Sequence, residues 1–163
     1  MNTRMAPEVD IEKTPVLTAK PYKHIEKLIN TLLPLTERRI LSRGEVVHYY
    51  HHDDRQCFLL LQGSVALHRR GDGIVLNSES SPFILGVSSQ FSSEHLYVRA
   101  LETSELAAVS LERFNSTIAQ HNLWEPFSHL LIYTASRVYE HCSRISQMSA
   151  YDIIRFQLVE LMQ

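Results

Sequence analysis

Residues 57–73, from Cys57 to Gly73, read CFLLLQGSVALHRRGDG and carry the pattern of a bent strand running into a hairpin. An apolar run, Phe58 to Leu61, meets Gly63 and is followed by Val65, Ala66 and Leu67. Glycine inside strand-like sequence marks a bend or bulge, because it alone escapes the Cβ penalty there. Gly71-Asp72-Gly73 tolerates positive φ, as a tight hairpin turn requires. The stretch therefore predicts one bent strand, a turn, and a return strand over Ile74, Val75 and Leu76. Strands that turn corners at glycines belong to small β-barrels and jelly rolls.

Working outward, Pro21 opens a short amphipathic helix. Ile25, Leu28, Ile29, Leu32 and Leu33 recur at helical spacing, and Pro34 ends it. Residues 1–20, with Pro7 and Pro15 and no period, read as a weakly ordered arm. From Arg38 to Ser110 short strands alternate with turns. Ile40 and Leu41 lead through Gly44 to Val46 and Val47, and Asp53-Asp54 suits a turn. Asn77 to Pro82 reads as a polar loop, and Phe83 to Leu85 as a buried strand ending at Gly86. Leu96–Ala100 and Leu106–Val109 complete the set, which is the spacing of a sandwich or barrel.

Ser110 suits the N-cap of a short helix near Leu111. Asn122 and Glu125 have capping-box spacing for a longer helix from about Leu123 to Gln147. Its Phe127, Leu131, Ala135, Val138, Cys142 and Ile145 form an apolar seam with coiled-coil-like spacing. About 25 helical residues span roughly 37 Å, more than this roll needs, so the seam predicts a partner. Ser149 and Asp152 repeat the cap signal and start a further helix. The expected domains are a jelly roll with flanking helices over 21–121, a long helix over 122–148, and an incomplete element over 149–163.

The chain has 163 residues, 44% hydrophobic and 21% charged, with formal net charge -2. A net acidic chain without clustered Lys and Arg is a poor stand-alone nucleic-acid binder. Two cysteines, Cys57 and Cys142, do not make a disulfide framework. The polar opening MNTRMAPEVDIEKTP lacks the core of a signal peptide, and no run approaches the roughly 20 apolar residues of a membrane span. A cytoplasmic protein with reduced thiols and no membrane partner is expected.

The order of elements resembles the sensory half of the cyclic-AMP receptor protein and fumarate-nitrate regulator superfamily. Leu60, Gly63, Val65 and Leu67 carry the first part of the likeness. Val98, Arg99, Ala100, Leu101, Glu105, Leu106, Ser110, Arg113 and Phe114 carry the second. It extends over residues 22–163, and within the superfamily it points to regulators of hydrogen peroxide resistance. The resemblance implies a mainly β fold: a cyclic-nucleotide-binding-like jelly roll followed by a long dimerisation helix. It implies a homodimer through that helix. DNA contact would come only through a C-terminal winged helix-turn-helix, of which 149–163 would be the first helix. It implies a regulator and not an enzyme, and no His-x-His, GxSxG or P-loop argues otherwise.

Members that bind cyclic nucleotides follow a cassette glycine with a glutamate for the ribose and later place an arginine on the phosphate. Here Gly86 is followed by Val87, and the arginine's place falls to Glu94. A carboxylate there repels phosphate. The cassette is therefore expected to be degenerate, and no cofactor is expected. A four-cysteine iron-sulfur cluster within one chain is excluded by the cysteine count. His48 and His52 would share a strand face and are weak metal candidates, although a polar strand end explains them as well. Cys57 and Cys142 are candidates for thiol redox sensing, or else small buried hydrophobes. The alternative function is a small-ligand- or metal-binding jelly roll without direct DNA binding.

Overall fold

The computed structural model describes residues 19–51, 54–87 and 96–146, with the backbone alone at 51, 138, 139 and 141–146. Helix α1, Tyr22–Leu32, buries Ile25, Leu28, Ile29 and Leu32. A 3-10 turn, Leu33–Leu35, takes up Pro34. Nine strands follow among the described residues. They are β1 Glu37–Leu41, β2 Val46–His48, β3 Tyr50–His51, β4 Asp54–Gln62, β5 Ser64–Arg69, β6 Val75–Ser80, β7 Phe83–Leu85, β8 Leu96–Ala100 and β9 Ser104–Ser110. Helices α2, Leu111–Gln120, and α3, Trp124–Ser146, close the order.

All pairings are antiparallel. One sheet runs β1-β9-β4-β3, with β7 also on β4; the other runs β2-β8-β5-β6. This is the mainly β, jelly-roll architecture expected. Strand β4 reads as continuous apolar sequence because it is covered on both faces. Phe58 and Leu60 lie opposite Ala108 and Leu106 on one face, and Cys57 and Leu59 lie opposite Val109 and Ala107 on the other. Helix α2 covers the sheet with fully buried Phe114, whose ring meets Phe127 of α3 edge-on at 5.6 Å.

The corner between β4 and β5 forms at Gly63, at φ 94°, beside a register shift between Leu60 and Gln62. A Cβ there would come within 2.9 Å of the Ser104 Cα and collide with its side chain. The hairpin closes as expected at Gly71 and Gly73, both at positive φ, with the Gly73 amide donating to the Arg69 carbonyl at 2.9 Å. Ser110 caps α2 by accepting from the Arg113 amide at 3.1 Å.

Two expectations are corrected. Asn77 to Ser80 is not a loop but most of β6, paired to β5 from Ser64 to His68. Its polar residues stay in the sheet because their inward side chains find partners on α3, described below. Asn122 does not cap α3. It is left-handed, at φ 53°, and ends α2. The Leu123 amide donates to the Ile118 carbonyl at 2.9 Å and the Asn122 amide to the Ala119 carbonyl at 3.4 Å. That bond pair is a Schellman ending, and Leu123 and Ile118 are both buried in the core. Residues 149–163 and their expected helix lie outside the described residues.

Gly63→Ala should lower stability well beyond Gly44→Ala. Gly44 also has positive φ but open space around a Cβ. The left-handed backbone alone costs about 1–2 kcal/mol, and the collision at Gly63 adds to it. Urea unfolding of both variants checks this; equal losses would contradict a packed corner.

Candidate functional site

Strand β6 carries Glu79 opposite Val65 of β5, in the buried interior of the roll. A carboxylate taken out of water costs several kcal/mol unless it is paired and hydrogen-bonded. Here α3 supplies the partners. Arg137 Nε donates to Glu79 Oε2 at 3.2 Å, and Tyr133 Oη donates to Oε1 at 3.3 Å. Asn77, two residues along β6, donates through Nδ2 to Oε2 at 3.1 Å. Arg137 Nη2 donates further to Asn77 Oδ1 at 3.0 Å and to the Ser78 carbonyl at 3.1 Å.

Lys20, just before α1, donates to the Ser80 carbonyl and lies over the Tyr22 and Phe83 rings. Burial pushes its ammonium down; the Glu79 charge opposes that and Arg137 adds to it. Burial pushes the Tyr133 hydroxyl up to about 12, reinforced by the Glu79 charge. The arrangement is a joint that fastens the long helix to the roll. Residue patterns did not reveal it. The available signals were the Asn77-x-Glu79 alternation inside a polar segment and a single arginine following apolar helix positions.

The cassette positions lie near a second junction. Gly86 is left-handed at φ 86°, and a Cβ there would meet the Tyr49 ring at 2.5 Å. Arg55 Nη2 donates to the Gly86 carbonyl at 2.9 Å. Val87 is buried in the core. Glu94 lies outside the described residues.

Cys57 is fully buried, with its thiol 3.8 Å from the Gly86 carbonyl. Desolvation pushes the thiol up to about 12, partly opposed by Arg55. A neutral, enclosed thiol is a poor peroxide target, so the redox reading does not fit Cys57. The Cys142 side chain lies outside the described residues. His48 is exposed at the end of β2, its ring 6.0 Å from that of Tyr97. The strand breaks at buried Tyr49, and His52 lies outside the described residues. Among the described residues no three His, Cys, Asp or Glu side chains gather as a metal site.

On α3, Leu130 and Tyr133 are buried, and Phe127 and Leu131 pack partly on the same core. Ala135 is exposed, as are Trp124 and Ile132. Val138, Cys142 and Ile145 fall on the same helix, with side chains outside the described residues. Between edge strands β1 and β2 the sandwich opens into a cleft of about 440 Å³. Glu37, Arg39, Tyr50, Gln56, Phe58 and Leu106 are among the residues that line it.

No protein-family model and no curated protein matches the sequence. Solved structures do match. CLP, the c-di-GMP-responsive global regulator of Xanthomonas campestris, superposes with TM-score 0.62 at 18% identity, over 83% of this chain and 72% of that one. A CooA mutant from Carboxydothermus hydrogenoformans gives TM-score 0.61 at 12% identity, over 85% and 93%. The Thermus thermophilus catabolite activator protein gives 0.53 at 18%, over 81% and 62%. This chain has the fold of these regulators. No helix among the described residues is long and apolar enough to cross a membrane.

Arg137→Met should cost about 2 kcal/mol, less than a fully buried pair because Arg137 retains some exposure. Adding Glu79→Gln should recover part of that loss. A double-mutant cycle by urea unfolding measures the coupling, and additive losses would dissolve the joint.

Alkaline stability follows from three groups raised above their ordinary values: Tyr49, Cys57 and Tyr133. Each is protonated when folded, so its contribution is complete below the unfolded pKa and lost as pH climbs towards the folded one. The urea midpoint should hold steady to about pH 9.0 and fall towards pH 12, following the thiol first. Cys57→Ala should flatten the first part of that fall; an identical profile would remove the thiol from the account.

Proposed function

We propose that this chain is the sensory and dimerisation region of a bacterial transcription regulator acting in hydrogen peroxide stress. One observation carries the reading: in a fold shared with the c-di-GMP-responsive regulator CLP, the Glu79–Arg137 joint ties the roll to the long helix. A change in the roll at β6 is thereby felt by the helix, the kind of two-element coupling through which such switches act. Two copies pair through that helix. Phe127, Leu131, Ala135, Val138, Cys142 and Ile145 form the seam, and exposed Ile132 lies beside it. DNA contact belongs to a winged helix-turn-helix that begins at 149–163.

The signal is not a cyclic nucleotide. Val87 stands where a glutamate would hold the ribose, and Glu94 where an arginine would hold the phosphate. The Tyr49 ring against Gly86 and the Arg55 contact to its carbonyl support the same view. The peroxide link rests on the likeness of the two quoted motifs to the inhibitor of hydrogen peroxide resistance, a cytoplasmic regulator. Thiol chemistry, in this reading, falls to Cys142.

Light scattering after gel filtration tests the core of the proposal. The parent should run as a dimer, and Ile132→Lys with Ala135→Glu should give monomer with unchanged circular dichroism. Cyclic AMP at millimolar concentration should leave the melting temperature where it was. A parent that stays monomeric at high concentration, or that cyclic AMP stabilises, overturns the reading.

A further inference from the structure

Strand β1 turns charge towards the inside of the sandwich. Glu37, Arg39 and Leu41 alternate along it, so they share one face. Leu41 is fully buried. The row opposite them on β9 is Ala108, Leu106 and Ser104, and it continues to Phe58 and Leu60 of β4. The face that closes the core at Leu41 therefore carries a carboxylate and a guanidinium earlier along the strand. Both stand at an open edge, because β1 ends the first sheet and β2 ends the second. The cleft of about 440 Å³ lies between them, and Glu37 and Arg39 line it together with buried Val47, Phe58 and Leu106.

We propose that this cleft takes an apolar α-amino acid, its carboxylate on Arg39, its ammonium on Glu37 and its side chain against Phe58 and Leu106. A guanidinium fork matches a carboxylate in a paired, charge-assisted contact. A carboxylate such as Glu37 accepts from an ammonium in turn. Alternate residues of a strand stand about 6.6 Å apart, and their flexible side chains can converge on the neighbouring charges of one zwitterion. The apolar wall rewards a phenyl or branched aliphatic group for leaving water. The volume lies near the lower end of small-molecule pockets, about 300–1,000 Å³, which suits a ligand of this size.

The two charges are available. Glu37 and Arg39 are exposed, and among the described residues neither closes an ion pair with another side chain. Glu45 feels the Arg39 charge, but its carboxylate accepts from the Ser42 amide at 2.8 Å. Arg38 also lines the cleft, and its guanidinium is paired with Glu105 at 3.6 Å. Inward charges can also guard an edge strand against pairing with another chain. Guarding needs charge of either sign, whereas one of each beside an apolar wall is the pattern of a zwitterion site. Strands β2 and β6 are opposite edges of the second sheet, so the cleft stands across that sheet from Glu79. The site does not depend on the regulator reading.

Calorimetric titration of the full chain with L-phenylalanine tests the site. One saturable site is expected. Phenylpropanoate, which lacks the ammonium, and phenethylamine, which lacks the carboxylate, should each bind about tenfold more weakly, the value of one charge-assisted contact. Arg39→Gln and Glu37→Gln should each weaken phenylalanine by a similar factor. Arg39→Gln should leave phenethylamine unchanged, and Glu37→Gln should leave phenylpropanoate unchanged. Ala108→Leu, which fills the cleft from β9, should remove binding. Arg43→Gln, in the exposed turn between β1 and β2 and outside the lining, should change nothing. Circular dichroism confirms that each variant is folded. If Ala108→Leu does not fold, the two exposed positions decide. No saturable binding up to about 10 mM, an affinity too weak to matter, overturns the proposal. So does phenylpropanoate binding as tightly as phenylalanine, or an equal loss in Arg43→Gln.

Discussion

A carboxylate facing the inside of a β-roll cannot stand alone, and the place of Glu79 governs much of what surrounds it. The charge needs donors, and the only elements able to bring them are those lying against β6. Helix α3 does so through Tyr133 and Arg137. That contact sets how the helix is rolled about its own axis. Leu130 and Tyr133 turn to the core, and Trp124, Ile132 and Ala135 turn to solvent. Helix α1 follows, because its His24 ring stacks on His129 of α3 at 4.0 Å and Lys20 holds the end of β6. A polar joint of this kind gives less net stability than an apolar one would, since desolvation consumes much of the attraction. What it adds is registry: a slip by one residue would strand a buried charge.

The second constraint is close approach of backbone at glycines. Gly63 lets β5 turn off β4 against Ser104, and Gly86 lets the chain pass under the Tyr49 ring. Tyr49 in turn sits 5.7 Å from Phe58, at the heart of the first sheet. The strand that carries the fold-deciding apolar run is thus the same strand that encloses Cys57. Burial that makes β4 stable also makes its thiol inert.

Much of this was legible in the residues. The bend at Gly63, the turn at Gly71 and Gly73, the face of α1 and the Ser110 cap each depend on a handful of neighbours, so local pattern suffices. Asn77–Ser80 was not legible. Its polarity matches a loop until Arg137, 58 positions from Glu79, supplies the missing partner. Asn122 misled for a related reason. The residue suits an N-cap and a left-handed C-terminal ending equally well, and the bonds to Ile118 and Ala119 decide between them.

The sequence by itself determined the class of fold, the corners of the roll, and a long helix with apolar residues to spare. Those follow from glycine's freedom, from hydrophobic period and from capping, all short-range effects. Only the tertiary structure decided which helix face is covered, that Cys57 is sealed, and that His48, Tyr97 and Arg99 share one face. Each of those outcomes depends on strands distant in sequence becoming neighbours, where a charge or a thiol takes its character from what the fold packs around it.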